Sequence, residues 1–434
     1  MKKEPYYITA ENLAAAGKDN IPAELISNTH LIYSSPATLS FNSPGAEGFG
    51  VKRAGLAIPG SVMLLVAPGC CGRNTTTLSE LGGYSDRIFY LMMDETDIVT
   101  GGHLKNIPQA VEEICKCTPS MPSVVMICIT CVDALLGTDM ERVCRKAMDR
   151  VNIPVLPCYM YALTREGRKP PMVHVRQSIY SLLEPMEKKL DTVNILGYFA
   201  PLIETCELYD LLHQIGMKKI NEISRLKDFD EYMHMAEANF NLVLNPEARF
   251  AAQDIMKRLD IPAAELIRLY QIDKVQNQYR IFTNALGTSF DDQKYYDEAK
   301  KAIDELKAVY PDTTFAVGEA MNANSFELSL ALIRYGFKVA EIYASLTYED
   351  FVYIRKIAKL SPETKIYSNL EPTMLYYDCS EEKIDITIGK DAQYYHPDCV
   401  NVPWNQDIQP FGYAGVKKLF EELKHSLDCF DKEA

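Results

Sequence analysis

Nowhere in its 434 residues does the chain carry an apolar run long enough to cross a bilayer. The longest, such as Val62 to Ala67, have strand length, whereas a helical span needs about 20 apolar residues. The first residues, Met1-Lys2-Lys3-Glu4-Pro5-Tyr6-Tyr7, set two lysines ahead of no hydrophobic segment. No secretory leader is therefore expected, and a cytoplasmic address is. A surplus of positive charge is lacking too. The 45 Lys and Arg face 59 Asp and Glu, a formal net charge of −14. That disfavours nucleic acid and anionic membrane as partners and leaves a basic protein patch compatible. There is no Gly-x-x-x-x-Gly-Lys-Ser/Thr loop and no Gly-x-Gly-x-x-Gly turn after a strand. No ATP site and no NAD site of the usual kind is expected on this chain.

What is present is an ordinary globular composition, 47% hydrophobic and 24% charged, in a chain too long for one core. Twelve cysteines in a chain without a leader read mostly as thiols, and most of those as core packing. Continuous β-rich runs alternate with amphipathic helices. Ser61 to Ala67, Arg87 to Met93, Ser123 to Ile129 and Ile153 to Leu156 form a first group of strands. Thr192 to Tyr198 and Phe240 to Leu244 belong to a second. Thr314 to Gly318, Lys338 to Ile342, Lys365 to Ser368 and Ile384 to Ile388 belong to a third. Strands without polar alternation suit parallel sheets covered on both faces. The expected fold class is α/β: three Rossmann-like domains, each a parallel sheet flanked by helices, over residues 1–190, 191–310 and 311–434. Thr138-Asp139-Met140-Glu141 has the form of a capping box opening a helix through Arg150.

Ligands of such sheets collect beyond the carboxyl ends of strands, and two strand ends here carry cysteine. Pro68-Gly69-Cys70-Cys71-Gly72-Arg73 follows the first strand, and Cys128-Ile129-Thr130-Cys131 closes the third. Gly69 and Gly72 allow the backbone to bend closely around a bulky group, and thiolates at such a corner suit iron–sulfur iron. Cys128 is equally a buried strand residue and Cys71 a small turn residue. Cys128-x-x-Cys131 also has the spacing of a zinc or redox pair. Arg73 could face an anion or lie in a surface ion pair. Glu95, Asp97 and His103 are acid–base candidates, although a carboxylate beside Gly101-Gly102 more often caps a helix. Cys158 and Cys206 read as packing, His396 and Cys399 as solvent-facing loop residues, and Trp404 as an anchor for the C-terminal segment.

The longer order adds to this. Pro68-Gly69-Cys70 precedes Glu95-x-Asp97-Ile98-Val99-x-Gly101-Gly102, then Cys131 with Leu135-Leu136-Gly137-Thr138-Asp139. Val193-Asn194-Ile195-Leu196-Gly197-Tyr198 and Asp407-Ile408-Gln409-Pro410-Phe411-Gly412-Tyr413-Ala414-Gly415 follow. This order resembles component 1 of the nitrogenase-like oxidoreductases over nearly the whole chain. The resemblance implies that Cys70 and Cys131 match two of the family's three cluster-ligating cysteines. The family's third lies some two dozen residues ahead of the Pro-Gly-Cys turn, where Asn42-Ser43-Pro44-Gly45-Ala46 stands here without cysteine. A four-iron, four-sulfur cubane, completed by Cys71, by a non-cysteine ligand or by a sister subunit, is therefore expected ahead of a larger cluster. Cys128 is a further ligand candidate, with Gly69, Gly72 and Arg73 around the group. The resemblance also implies a homologous sister subunit, as a heterodimer or heterotetramer or else a homodimer. It further implies an ATP-dependent iron–sulfur reductase homodimer that delivers low-potential electrons for a reducible substrate. The alternative within the family is a scaffold for metallocofactor assembly that turns nothing over. The stretch Asn401 to Gln406 holds no histidine where nitrogenase places one for its large cofactor, so an iron–molybdenum cofactor is not expected.

Overall fold

In the computed structural model the described residues are 3–26, 37, 54–69, 83–130, 132, 136–159, 169–379 and 382–433. Among them the strands are β1 (Ile8–Thr9), β2 (Val62–Ala67), β3 (Ile88–Met92), β4 (Val125–Ile129), β5 (Val155–Tyr159), β6 (Lys189–Leu196) and β7 (Lys219–Glu222). They continue with β8 (Ala238–Val243), β9 (Ala263–Glu265), β10 (Thr314–Val317), β11 (Lys338–Tyr343), β12 (Lys365–Tyr367), β13 (Ile386–Ile388) and β14 (Val400–Val402). They build three sheets, ordered β3-β2-β4-β5, β7-β6-β8-β9 and β1-β12-β11-β10-β13-β14. Every pairing is parallel except that of β1 with β12. In each sheet the earliest parallel strand is central, its successor lies on one side and a later strand on the other. That arrangement defines a topological switch point between β2 and β4, β6 and β8, and β10 and β13.

The chain forms two compact units, residues 47–201 with 216–267, and residues 1–46 with 202–215 and 268–434. The first unit holds the first two sheets. All six residues of β2 and all five of β4 are buried, which is why their sequences show no polar alternation. Val62, Leu64, Val66, Val125, Ile127 and Ile129 face one apolar cluster. Met63, Leu65, Ala67, Met126 and Cys128 face another, which they share with Leu196, Val243 and the helix Arg249–Leu259 of the second sheet. Sheet two carries a buried amide ladder: Asn221 Nδ2 donates to Asn194 Oδ1 and Asn194 Nδ2 to Asn241 Oδ1, both at 2.9 Å. A one-residue slip would break both bonds, so the ladder fixes register as well as polarity. At its switch point Gly197 has φ 126°, and a Cβ there would lie 2.7 Å from the Asn245 nitrogen. Buried Arg176 donates twice to the Gly197 carbonyl, at 3.0 and 2.8 Å.

In the second unit the third sheet's switch point is filled by the chain itself. The Asp391 carboxylate accepts from the Glu319 and Ala320 N–H groups at 2.8 and 3.1 Å and from Asn369 Nδ2 at 2.8 Å. A side chain at Gly318 would overlap that carboxylate. The Pro410 to Gly415 segment has a similarly close fit. Gly412, at φ 61°, opens the helix Gly412–Glu433, and Glu207 accepts from the Tyr413 and Ala414 N–H groups at 2.7 and 3.0 Å and from the Tyr279 hydroxyl at 2.8 Å. Burial pushes the Glu207 carboxyl up in pKa, and these donors hold it back. Trp404 is the expected anchor: its Nε1 donates to the Tyr270 hydroxyl at 2.6 Å and its side chain is buried.

Two expectations need correcting. The helix after Gly137 runs Met140–Val151 with Asp139, not Thr138, as its cap, because the Asp139 side chain accepts the Arg142 N–H at 3.0 Å. His396 and Cys399 do not face solvent. His396 is 3% exposed, with Nε2 2.9 Å from Glu341 Oε2 and 3.0 Å from both the Tyr343 and Tyr377 hydroxyls. The half-buried Cys399 Sγ bonds the Ile384 carbonyl. Strands β1, β7, β9 and β14 were not expected: each has only two to four residues and none lies in a continuous apolar run.

Gly412→Ala should destabilise the fold by about 1–3 kcal/mol, because it adds a side chain at positive φ and drives a Cβ into Glu207; a lowered thermal midpoint checks this. Fully buried Glu327, whose carboxylate accepts from Tyr270 and Gln271, has its pKa pushed up by burial to about 7. Its folded value exceeds its unfolded one, so the folded state binds the extra proton. Its contribution is fully present below about pH 4.5 and is lost as pH rises through about 7. The thermal midpoint of Glu327→Gln, followed from pH 4.5 to 8, should lack that decline.

Candidate metal centre

The first sheet's switch point lies between β2 and β4, whose in-register pairing runs from Val62↔Val125 to Val66↔Ile129. Neighbouring strands stand about 4.8 Å apart, so Ala67 and Thr130 leave the sheet side by side. Cys131 is the next residue after Thr130, and Cys70 is three residues beyond Ala67. Three residues reach roughly 10 Å, enough to bring both thiolates to one inorganic group over this crevice. Cys70, Cys71, Gly72, Arg73 and Cys131 themselves lie outside the described residues. Gly69 is the last described residue of its turn and is exposed; a Cβ there would meet Met92 Sδ at 4.0 Å. Among the described residues no group of three or more His, Cys, Asp and Glu is placed to hold a metal ion.

Cys128 is fully buried, paired in register with Cys158, and packed in the apolar cluster with Met63 and Met126. Its neighbours are hydrocarbon and thioether groups and the buried Cys158 thiol, and the residue behaves as a small hydrophobe there. Cys206 is buried at the start of the helix Glu207–Gln214, with Sγ 3.8 Å from the Phe411 carbonyl.

The Glu95 to Gly102 signature follows β3, which flanks β2 on the side away from β4. Asp94 caps the helix Glu95–Thr100, accepting the Asp97 N–H at 2.8 Å, while Asp97 returns a longer bond of 3.4 Å to the Asp94 N–H. Gly101 ends the helix at φ 69°, a conformation that suits a residue without Cβ. At Gly102 a Cβ would sit 2.7 Å from Asp97 Oδ1. Buried His103 places Nδ1 3.2 Å from the Asp97 carbonyl. Asp97 and His103 therefore hold a tight helix-to-helix turn, and Glu95 points to solvent. Beside the turn, a cleft of about 450 Å³ is lined by His103, Thr138, Asp139, Arg142 and Lys146.

Sequence reasoning missed Thr130 at this edge. It is 2% exposed, and its Oγ1 has no hydrogen-bond partner among the described residues. A buried donor without an acceptor at the mouth of a switch point fits a group supplied from outside the protein chain. Its signal in the sequence was a hydroxyl directly after five apolar strand residues and directly before a cysteine.

Residues 47–428 match the family described as nitrogenase component 1 type oxidoreductase. The chain is similar to the nitrogenase iron-molybdenum cofactor biosynthesis protein NifE of Sinorhizobium fredii, with 25% identity over 76% of this chain and 70% of the relative. It is similar to NifE of Rhizobium meliloti at 24% identity, over 87% and 83%. In fold it is similar to a structure titled nitrogenase Cp1 at pH 6.5, with TM-score 0.71, 16% identity, and 96% and 98% of the two chains covered.

Asp94→Ala should cost about 1 kcal/mol of stability through the lost cap. Glu95→Ala, on an exposed face, should change it by less than about 0.5 kcal/mol, and denaturant unfolding of both variants checks the contrast.

Proposed function

The chain belongs to the nitrogenase component 1 type oxidoreductase family, and from that premise we propose that it holds an iron–sulfur cluster at the β2–β4 switch point through Cys70 and Cys131. The observation that supports this reading is the in-register pairing of β2 with β4, which sets Ala67 and Thr130, from which the two cysteine-bearing segments leave, side by side. Cys71 is the nearest further ligand in sequence, and the apolar packing of Cys128 makes it a weaker one. Gly69 and Gly72, which carry no side chain, and the cationic Arg73 are the further residues of this turn that would suit a bulky anionic group. A bound cubane would supply a one-electron relay. The protein's part is to bury it and to direct hydrogen bonds at its sulfur, which sets its potential. Electrons would arrive from an ATP-dependent iron–sulfur reductase, and a homologous sister subunit would complete the site.

A scaffold role in metallocofactor assembly is the second reading, and two observations favour it. The relatives reported above are named as cofactor biosynthesis proteins. The histidine that most closely precedes the C-terminal motif, His396, is committed to Glu341, Tyr343 and Tyr377 and so is not free to hold a second cofactor.

Anaerobically purified protein should contain iron and acid-labile sulfide with a brown visible absorption, both lost in the Cys70→Ala, Cys131→Ala double variant. Protein free of iron and sulfide would remove the redox reading. Sustained substrate reduction with the reductase and ATP would exclude a pure scaffold.

A further inference from the structure

We infer that the Thr130 hydroxyl donates a hydrogen bond to sulfur of the group held at Cys70 and Cys131. This rests on the proposed cluster and goes beyond it, because it names a residue that tunes the group without ligating iron.

The case begins with an unmet donor. Thr130 Oγ1 is buried and unpartnered among the described residues, and leaving a buried hydroxyl unpaired costs folding free energy. The adjacent strand end offers it nothing. The Ala67 carbonyl already accepts from the Met93 N–H at 3.0 Å and from the Tyr90 hydroxyl at 2.8 Å, and a carbonyl oxygen has two lone pairs. By strand alternation Thr130 continues the row of Met126 and Cys128, whose surroundings are apolar. Valine would fill the same volume without a polar atom, as Val125 does in the same strand, so burial alone gives no reason for the hydroxyl.

The other two switch points show what a closed crevice looks like. In the second sheet Gly197 is pressed against Asn245 and its carbonyl is taken by Arg176. In the third, the Asp391 carboxylate takes two backbone N–H groups and Asn369. The groups named there are satisfied from within the chain, although Asn241 Nδ2 inside β8 also lacks a partner among the described residues; at the first switch point the Thr130 hydroxyl at the strand end is the unmet group. Sulfide and thiolate sulfur carry negative charge and accept O–H groups. Such a bond favours the more negative, reduced cluster and raises its potential.

Wild type, Thr130→Val and Thr130→Ser, each reconstituted anaerobically with iron and sulfide, test this by two readouts. In redox titration the valine variant should shift to a more negative midpoint and the serine variant should stay near wild type. In the metal-free protein, valine should raise the thermal midpoint by a few degrees, because it removes an unpaired buried hydroxyl. Equal potentials in all three, or a metal-free valine variant that melts below wild type, would overturn the inference while leaving the cluster intact. Should wild type take up no iron or sulfide, the cluster reading fails and this inference with it.

Discussion

The parallel pairing of β2 with β4 is the constraint on which the candidate site depends. Both strands are buried along their whole length, and side chains of opposite parity feed two separate apolar clusters. A slip of one residue would exchange the clusters and send Thr130 to the other face, so hydrophobic packing pins the register. Because the register is pinned, the loops after Ala67 and Thr130 start from neighbouring points. The placement of the proposed site thus follows from the burial of hydrocarbon several residues away.

A second theme is that polar and glycine-rich motifs serve as joints. The Glu95 to Gly102 signature looks catalytic in its residue types, yet Asp97, with Asp94 before the signature and His103 after it, holds one turn between two helices, while Glu95 faces solvent. Gly102, Gly197, Gly318 and Gly412 each leave out a Cβ that would meet a neighbouring polar group. The buried carboxylates Glu207, Glu327 and Asp391 and the partly buried Glu319 all have their pKa raised by burial, offset in part by the N–H and side-chain donors they gather. Such networks specify one arrangement because a half-satisfied version is costly.

Much of this was legible from residues alone. Continuous runs such as Val62 to Ala67 and Thr314 to Gly318 announced covered parallel strands, and the structure pairs them as β2 and β10. Short strands such as Lys219–Glu222 did not announce themselves, because pairing with β6 and not their own composition makes them strands. The fates of His396 and Thr130 were equally hidden. One is buried by tyrosines from distant segments, and the other is isolated because its neighbour's carbonyl is already in use.

By itself, then, the sequence determined the three-sheet α/β class, the absence of phosphate-loop and dinucleotide motifs, and the two cysteine-bearing strand ends, since local periodicity and turn chemistry write these features directly into neighbouring residues. Only the tertiary structure decided which strands lie side by side, which histidine is sequestered and which switch points the chain fills from within. Those depend on contacts between residues far apart in the chain, whose partners no local pattern names.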